Sequence, residues 1–256
     1  MNKNERHDRI LHLAGERGMI YLDRAAQATG ASLPTIRRDF AELADAGSVE
    51  RIRGGIRVSR KEENMPFNLR EVQRSNEKSA IARNAAKRLR GGDVLFIDGG
   101  TTTYHMCFHL PRVPLRIITN SLRLSAYLDD PAHRHPDWEV YLTSGRIQHG
   151  SSMLTGPGTV HSLSFYHADW AFLSVGGITP DGLYNTSEAI VETERKMIEH
   201  SDRSVILADQ SKIGTRTMCR VCGIKRIERL ITTPPAGRSL IEEDMREAGL
   251  VITHAD

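Results

Sequence analysis

Short apolar segments of strand length alternate with helical segments along residues 94–253 of this 256-residue chain. Several of the short segments are continuously apolar, which is typical of strands that are covered on both faces. Strands that alternate with helices in this way are joined by right-handed crossovers and form an open, largely parallel sheet. The sequence therefore predicts an α/β fold on seven strands: Val94–Ile97, Leu115–Ile118, Glu139–Leu142, Trp170–Leu173, Val205–Ala208, Leu230–Thr232 and Leu250–Thr253.

The positive charge of the chain is concentrated ahead of this region. Residues 1–60 contain 11 Lys or Arg and 8 Asp or Glu, which leaves 24 residues of each sign elsewhere and accounts for the whole formal net charge of +3. Excess positive charge in one segment suits a nucleic-acid partner. No apolar run reaches the length of a membrane helix, and three cysteines do not make a disulfide framework. We therefore expect a cytoplasmic protein that has no membrane partner.

Three short helices are predicted in the first 45 residues. Ile10, Leu11 and Ala14 give the first helix an apolar face. The second helix is expected to run from about Asp23 to Gly30. Because only a tight turn separates it from the third helix, the pair has the spacing of a helix-turn-helix.

The third helix combines a buried stripe with a basic outer face. Its stripe has the spacing i, i+4 and i+7 and consists of Ile36, Phe40 and Leu43. Ser32 is a candidate N-cap for this helix. Arg37 and Arg38 lie off the stripe and are expected to point outward beside Thr35. In a helix-turn-helix, these first residues of the second helix enter the major groove of DNA.

A basic hairpin is predicted after the third helix. Apolar and charged residues alternate from Val49 to Val58 around a Gly-Gly pair, and arginines flank its tip. An isolated arginine pair is usually an ordinary solvated surface, but the turn, cap, stripe and hairpin together describe a winged helix that binds operator double-stranded DNA. The predicted DNA-binding residues are Ser32, Thr35, Arg37, Arg38, Arg51, Arg53, Gly54, Gly55 and Arg57.

The pattern divides the chain into three parts. We expect a winged helix-turn-helix DNA-binding domain over residues 1–58 and an effector-sensing α/β domain over residues 76–256. Residues 59–75 carry charges, Pro66 and little periodicity, so we expect a linker there.

Small and polar residues follow five of the predicted strands. Ligands of open parallel sheets bind beyond the carboxyl ends of the strands. Hydroxyl and amide groups, Gly99-Gly100 for close backbone approach and Lys212 as a point charge are what a sugar phosphate needs. One such loop is common in any α/β protein, and only the agreement of five favours a ligand site. The predicted effector-binding residues are Asp98, Gly100, Thr101, Thr102, Thr103, Thr119, Asn120, Ser121, Gly145, Arg146, Gly176, Gly177, Asp209 and Lys212.

The chain resembles the DeoR family of sugar-responsive transcriptional repressors. The resemblance rests on Ser32 to Phe40, which contains Thr-Ile-Arg-Arg-Asp, on Glu42-Leu43 and Gly47, and on Arg53-Gly54-Gly55. In the second half it rests on Glu77-Lys78, Ile81-Ala82, Gly92-Asp93, Phe96-Ile97-Asp98, Gly100-Thr101-Thr102, Thr119-Asn120-Ser121, Asp209, Ser211-Lys212 and Gly214. The resemblance implies a sensor domain similar in fold to ribose-phosphate isomerases, with a pocket for phosphorylated sugars lined by Asp98, Gly100, Thr101, Thr102, Thr119, Asn120 and Lys212.

Two positions depart from the family pattern in ways that bear on the ligand. Ser144-Gly145, followed by Arg146, stands where the family usually has Gly-Gly. Glu194 stands where a basic residue often precedes Arg195. The effector is therefore expected to differ from those of better-known members.

A sugar-phosphate isomerase-like enzyme with an attached DNA-binding domain is the alternative function. Isomerisation needs a positioned base, for which Asp98 and Asp209 are candidates. The isomerases carry an Asp-rich segment that leads to a Lys and a run of glycines. The similar stretch of this chain, residues 168–177, keeps one Asp and lacks the Lys. This favours binding without turnover and no catalytic residues, while a purely architectural DNA protein leaves the polar loops unexplained.

No metal or other cofactor is expected. Cys219 and Cys222 have the spacing of zinc ligands but lack a second ligand pair, and they fit better on a strand. His105 and His109 could share a helix face, but no third ligand stands at a matching spacing.

The sequence thus predicts a repressor of a carbohydrate-metabolism operon. Its partners are expected to be operator DNA, a phosphorylated sugar or polyol effector that releases or modulates DNA binding, and further copies of the chain in a homodimer or homotetramer.

Overall fold

The computed structural model describes residues 1–45, 49–58 and 65–256. It divides into two compact units, Met1–Ser75 and Asn76–Asp256. Gly47 and residues 59–64 of the predicted linker lie outside the described residues. No helix within the described ranges has both the length and the apolar character of a membrane span.

The N-terminal unit is a winged helix-turn-helix, as predicted. Its elements are α1 (Lys3–Arg17), β1 (Met19–Tyr21), α2 (Leu22–Thr29), α3 (Leu33–Asp45), β2 (Val49–Ile52), β3 (Gly55–Val58) and α4 (Phe67–Val72). Helix α1 begins with a capping box between Asn2 and Glu5 and ends at Gly18, which adopts the left-handed conformation at φ 76°. The second helix begins at Leu22, one residue before its expected start, and Asp23 lies in its first turn.

Helices α1, α2 and α3 share one apolar core. The expected stripe of α3, Ile36, Phe40 and Leu43, is buried together with Ile10 and Ala14 of α1. Strand β3 pairs antiparallel with β1 on one side and β2 on the other, and Ile20 and Ile56 add the sheet to the core. The amphipathic pattern of the sequence thus accounts for how the helices pack.

The described part of the expected linker contains a helix. Leu69 of α4 is fully buried and lies against α1, where a methyl group at Gly15 would be 3.6 Å from a Leu69 methyl carbon. Asn68 Nδ2 donates a hydrogen bond to Asp8 at 2.7 Å. Six residues are too few for a helix to be stable by itself, so the helix depends on this packing, which periodicity within residues 59–75 cannot reveal.

The C-terminal unit is built on a parallel seven-stranded sheet. Its strands are β4 (Val94–Ile97), β5 (Leu115–Thr119), β6 (Trp138–Leu142), β9 (Ala168–Leu173), β12 (Ser201–Leu207), β14 (Arg229–Thr232) and β15 (Val251–His254). Their order in the sheet is β15-β14-β12-β9-β4-β5-β6, and every neighbouring pair is parallel. All seven predicted strands belong to it, with ends that differ by a few residues.

Apolar side chains cover both faces of the sheet. Along β4, Phe96 packs in the cluster on one face, and Leu95 and Ile97 pack in the cluster on the other. Strand β9 alternates in the same way, with Leu173 on the first face and Phe172 on the second. The helices of the unit are α5 (Ser75–Ala86), α6 (Thr101–Tyr104), α7 (Leu122–Asp129), α8 (Pro157–Leu163), α9 (Glu188–Glu199) and α10 (Leu240–Glu247). The α/β fold with a two-sided core is therefore confirmed.

Two smaller sheets lie beside the large one, and of their strands only the one that carries Cys219 and Cys222 was predicted. Strands β7 (Arg146–Gln148) and β8 (Met153–Thr155) form a hairpin. Strands β10 (Gly177–Thr179) and β11 (Gly182–Asn185) form a second hairpin, to which β13 (Cys219–Cys222) adds a third strand. Strands of three or four residues with mixed polarity have too weak a pattern to be detected in the sequence.

Candidate functional site

Helix α3 presents two arginines on the surface of the N-terminal unit. Arg37 and Arg38 are exposed and make no hydrogen bond or ion pair within the described part of the chain. Ser32 and Thr35 support the start of the helix, since their hydroxyl oxygens are 2.9 Å apart and Ser32 Oγ accepts a weak hydrogen bond from the Thr35 amide at 3.4 Å. The outward basic pair is thus placed at the first turns of α3.

A buried carboxylate fixes the opposite side of α3. Asp39 accepts hydrogen bonds from Arg6 Nε at 2.6 Å and from a terminal guanidinium nitrogen of Arg6 at 3.0 Å, and His7 Nε2 lies 3.0 Å away. Burial raises the pKa of Asp39, but the hydrogen bonds from Arg6 and His7 outweigh burial and hold the pKa below its ordinary value. The Asp of the Thr-Ile-Arg-Arg-Asp segment therefore ties α3 to α1, a role that sequence reasoning missed although Asp39 stands on the buried side of the helix.

The hairpin arginines differ in their surroundings. Arg51 and Arg53 are exposed and unpaired within the described residues. Arg57 forms an ion pair of 2.6 Å with Glu50 on the neighbouring strand. Gly54 adopts φ 76° in the turn. A methyl group at Gly55 would lie 2.5 Å from the carbonyl oxygen of Ile20, so Gly55 is required for the pairing of β3 with β1.

The five polar loops lie side by side at one edge of the large sheet. They follow β12, β9, β4, β5 and β6, which are neighbours in that order. Because parallel strands are about 4.8 Å apart, the loops form a row at the carboxyl ends of the strands. The structure thus brings together the segments in which all fourteen predicted effector-binding residues occur.

Asp98 ties the loop after β4 to the loop after β9. Its buried carboxylate accepts hydrogen bonds from Thr103 Oγ1 at 2.5 Å, from the Gly100 amide at 3.1 Å and from the Ser174 amide at 3.0 Å. Burial raises the pKa of Asp98, and these hydrogen bonds oppose part of that rise. Both oxygens of the carboxylate are used within the protein, so Asp98 organises the edge of the sheet.

The glycines after β4 make room for side chains of the protein. A methyl group at Gly99 would lie 2.4 Å from Cγ of Met153, and one at Gly100 would lie 1.4 Å from Oγ of Ser174. Gly99 and Gly100 were expected to let a ligand approach the backbone closely. In the structure, β8 and the loop after β9 occupy that space, so the two glycines are needed for packing within the protein. Thr101, Thr102 and Thr103 follow in the short helix α6 and are buried.

The loop after β5 is held by hydrogen bonds on both sides. Thr119 Oγ1 donates to the Ile97 carbonyl at 2.7 Å, and Ser121 Oγ accepts from the Leu124 amide at 3.2 Å, which caps α7. Asn120 Nδ2 donates to the Leu154 carbonyl at 3.1 Å, whereas its buried Oδ1 has no partner within the described residues. Asn120 therefore has hydrogen-bonding capacity left for a ligand.

Gly145 and Arg146 line an open cleft of about 530 Å³ beside the row of loops. Arg146 is exposed and has no ion-pair partner within the described residues. The cleft is completed by Thr155–Gly158 and by Glu188, Ala189 and Glu192.

The loops after β12 and β9 carry Lys212 and a Gly-Gly pair. Asp209 caps a turn of 3₁₀ helix by accepting hydrogen bonds from the Ser211 amide at 2.9 Å and the Ser211 hydroxyl at 2.5 Å. Lys212 is half-buried in this turn, and burial lowers the pKa of its ammonium group to about 8. Gly176 and Gly177 lie against residues 215–217, which leaves no room for side chains there.

Glu194 is a buried acid close to these loops whose contacts the sequence did not reveal. It lies on α9, and Asn185 Nδ2 donates a hydrogen bond to its Oε1 at 2.5 Å. Its Oε2 is buried and has no partner within the described residues. Burial raises the pKa of Glu194 well above its ordinary value, and the charge of Asp98 raises it further. The departure from the family pattern at this position was the only sequence signal.

Neither the cysteine pair nor the histidine pair belongs to the group of possible metal ligands found among the described residues. Cys219 and Cys222 lie on β13, and His109 lies 2.8 Å from the Ser79 hydroxyl. Three other side chains with possible ligand atoms, His7, Asp39 and Glu42, do come together. Their carboxylates are already paired with Arg6 and Lys3, so the geometry is that of an ion-pair network.

Comparisons with known proteins match both units. Residues 73–233 match the DeoR C terminal sensor domain, and residues 6–62 match the DeoR-like helix-turn-helix domain. The HTH-type transcriptional repressor CsqR of Escherichia coli is 33% identical over 240 residues, 91% of this chain and 89% of that protein. The uncharacterized HTH-type transcriptional regulator YulB of Bacillus subtilis is 31% identical over 230 residues, 89% of this chain and 88% of that protein. Among solved structures, ribose 5-phosphate isomerase A of Methanocaldococcus jannaschii aligns with 54% of each chain at 16% identity and a TM-score of 0.38.

Proposed function

The chain belongs to the DeoR family of helix-turn-helix transcriptional regulators, and from that premise we propose that it represses a carbohydrate-metabolism operon in response to a phosphorylated sugar or polyol. The winged helix binds operator DNA, and the row of loops at the edge of the large sheet binds the effector.

The observation that carries the DNA-binding proposal is the pair of exposed arginines on α3. Arg37 and Arg38 have no partner within the described residues, while Asp39 fixes the same turn of helix to α1. A rigid helix with free guanidinium groups at its first turns suits contact with base edges and phosphates in the major groove. Arg51 and Arg53 of the hairpin add phosphate contacts, whereas Arg57 is held by Glu50.

The effector proposal rests on the row of five loops. Lys212 supplies a partly buried positive charge, and Asn120 supplies a buried oxygen that has no partner in the described part of the chain. The amides and hydroxyls of Thr101 and Thr102 complete a polar surface near the same edge. Charge-assisted hydrogen bonds of this kind are the strong interactions with a phosphate group.

We propose that the effector is bound without turnover. Both oxygens of Asp98 accept hydrogen bonds from the protein, and Asp209 caps a turn, so neither carboxylate is placed as a free base for enediol formation. Purified protein incubated with ribose 5-phosphate is expected to yield no ribulose 5-phosphate above background. Conversion that disappears in Asp98→Asn would contradict this proposal.

A homodimer or homotetramer links the two functions. Symmetric copies present two winged helices to two operator half-sites. An effector that prefers another arrangement of the copies needs a coupling free energy of only about 1–3 kcal/mol to change operator occupancy.

The DNA-binding proposal is tested by selecting genomic fragments with the purified protein and then measuring variants on the recovered operator. Arg37→Ala and Arg38→Ala are each expected to weaken operator binding by about 1–3 kcal/mol. Arg90→Ala replaces an exposed arginine of the C-terminal unit and is the control. Unchanged operator affinity in both α3 variants would refute the assignment of α3 as the recognition helix.

A further inference from the structure

Two buried oxygen atoms beside the loop after β9 lack hydrogen-bond partners within the described residues. They are Oε2 of Glu194 and Oγ1 of Thr217. A methyl group at Gly176, in that loop, would lie 3.1 Å from Thr217 Oγ1 and 3.3 Å from Cα of Asn185. Asn185 in turn donates to the other oxygen of Glu194 at 2.5 Å. These polar groups therefore lie around the loop after β9, which is next to the loop that carries Lys212.

Burial of these two oxygen atoms costs free energy unless another molecule forms hydrogen bonds with them. A buried polar atom without a partner costs about 1–3 kcal/mol relative to one that is hydrogen-bonded. Glu194 is only 1% exposed, and its neighbours on the same face of α9, Ile190, Val191, Met197 and Ile198, are buried and apolar. Packing alone would be better served by an apolar side chain at position 194. The unpaired oxygens point to a partner that is not part of the chain.

The charges around Glu194 limit what this partner can be. Asp98 is close enough for its charge to raise the pKa of Glu194. Neither acid forms an ion pair with a Lys, Arg or His within the described residues. A carboxylate in this place would be buried beside two acids that have no ion-pair partner within the described residues, and burial of unpaired charge is strongly unfavourable. Hydroxyl groups, which both donate and accept hydrogen bonds, meet the requirements of Glu194 and Thr217.

We propose that Glu194 and Thr217 form a subsite that hydrogen-bonds the uncharged, hydroxylated end of the effector and excludes a carboxylate at that end. The inference rests on the proposed function, in which Lys212 holds the phosphate group at the other end of the effector. Lys212 follows β12, and β12 is the direct neighbour of β9 in the sheet. Neighbouring parallel strands are about 4.8 Å apart, so one small phosphorylated ligand can reach both Lys212 and the loop after β9. The effector class is therefore a neutral sugar or polyol phosphate, as opposed to a phosphorylated sugar acid.

The test uses matched pairs of ligands that differ only at the end remote from the phosphate. Erythritol 4-phosphate, ribitol 5-phosphate and glucitol 6-phosphate are each compared with the corresponding aldonic acid phosphate by calorimetry on the full chain. The wild type is expected to bind the neutral member of its best pair at least tenfold more tightly than the acid. Glu194→Met is expected to weaken binding of the neutral member by tenfold or more. Glu194→Gln, which keeps a donor and an acceptor in place, is expected to stay within threefold of the wild type.

Two further variants separate ligand recognition from stability. Thr217→Val keeps the shape of the side chain and removes the hydroxyl group. It is expected to weaken binding of the neutral ligand severalfold, and this result can be obtained even if Glu194→Met does not fold. Glu199→Met changes an exposed acid on the same helix and is expected to have no effect. Equal binding of a matched pair, or unchanged neutral-ligand affinity in both Glu194→Met and Thr217→Val, would overturn the inference. Failure of the wild type to bind any member of the panel would instead overturn the proposed function on which it rests.

Discussion

Asp39 shows how a single residue of the DNA-reading helix serves the fold. Its side chain lies on the face of α3 opposite Arg37 and Arg38 and accepts two hydrogen bonds from Arg6. Within this short segment, Arg37 and Arg38 thus face outward, whereas Asp39 forms the ion pair that fixes α3 to α1. The same division occurs in the wing, where Gly55 serves strand pairing and Arg53 is exposed.

Replacement of Asp39 is expected to make the free energy of unfolding less dependent on pH in the acid range. The folded-state pKa of Asp39 is lower than its ordinary value, so its contribution is complete above that ordinary value and is lost as the pH falls through the folded-state pKa. Asp39→Asn should reduce the free energy of unfolding by about 2 kcal/mol at pH 7. Below pH 3.8 the difference from the wild type should shrink. Urea unfolding of both proteins, followed by circular dichroism at pH 7 and at pH 3, measures the two differences in the free energy of unfolding.

Asp45→Asn is the matched control, because Asp45 is exposed at the end of the same helix. It is expected to change stability by less than about 0.5 kcal/mol. A difference between wild type and Asp39→Asn that is the same at pH 7 and pH 3 would show that the ion pair does not act through the charge of Asp39.

A second prediction at the residue scale concerns the charge of Lys212. Burial lowers the pKa of its ammonium group to about 8, so the free protein loses this charge when the pH rises above that value. A phosphate monoester is already doubly ionised there, since its second pKa is about 6. Effector affinity should therefore be nearly constant around pH 7 and fall by up to about tenfold per pH unit above pH 8. Calorimetry between pH 7 and pH 9.5 measures the fall, which should be absent in Lys212→Ala; an equal fall in that variant would assign the titration to another group.

At the scale of elements, most of the large sheet could be predicted and most of its surroundings could not. The seven main strands are largely apolar segments of four to seven residues, and their pattern is carried by each segment alone. Helix α4 and the hairpin of β7 and β8 are short and depend on contacts with distant segments, which periodicity does not contain. The row of loops was predictable because parallel strands place their carboxyl ends together. The use of Asp98, Gly99 and Gly100 within the protein was not predictable, since it depends on Ser174 and Met153.

The wing gives a prediction that distinguishes two arginines of one element. Arg53 is exposed and has no partner among the residues that the structure describes, whereas Arg57 is held by Glu50 on the neighbouring strand. Arg53→Ala should weaken binding to specific and unrelated DNA alike and reduce the slope of log affinity against log salt by about 1. Arg57→Ala should change that slope by less, because its charge is already partly neutralised. Titrations at several salt concentrations measure both slopes, and a larger change for Arg57 would show that the ion pair opens on DNA.

At the scale of the whole molecule, the proposal joins an operator-binding unit to a sensor of a phosphorylated metabolite. The two functions involve separate residues, with DNA contacts assigned to residues 1–58 and effector contacts to residues 98–217. Coupling between them is reciprocal, so an effector that weakens operator binding is itself bound more weakly by the operator complex. A variant that loses only the effector contact should therefore remain on its operator when the effector is present.

Operator affinity with and without the effector, in wild type and Lys212→Ala, tests the central claim most directly. The effector used is the sugar or polyol phosphate that raises the melting temperature of the wild type most. The account predicts that Lys212→Ala binds the operator as tightly as the wild type and loses the effector response, because losing one charge-assisted phosphate contact costs about 1.5–3 kcal/mol of effector affinity. A response in Lys212→Ala equal to that of the wild type would contradict the account, and loss of operator binding in this variant would contradict the separation of the two sites.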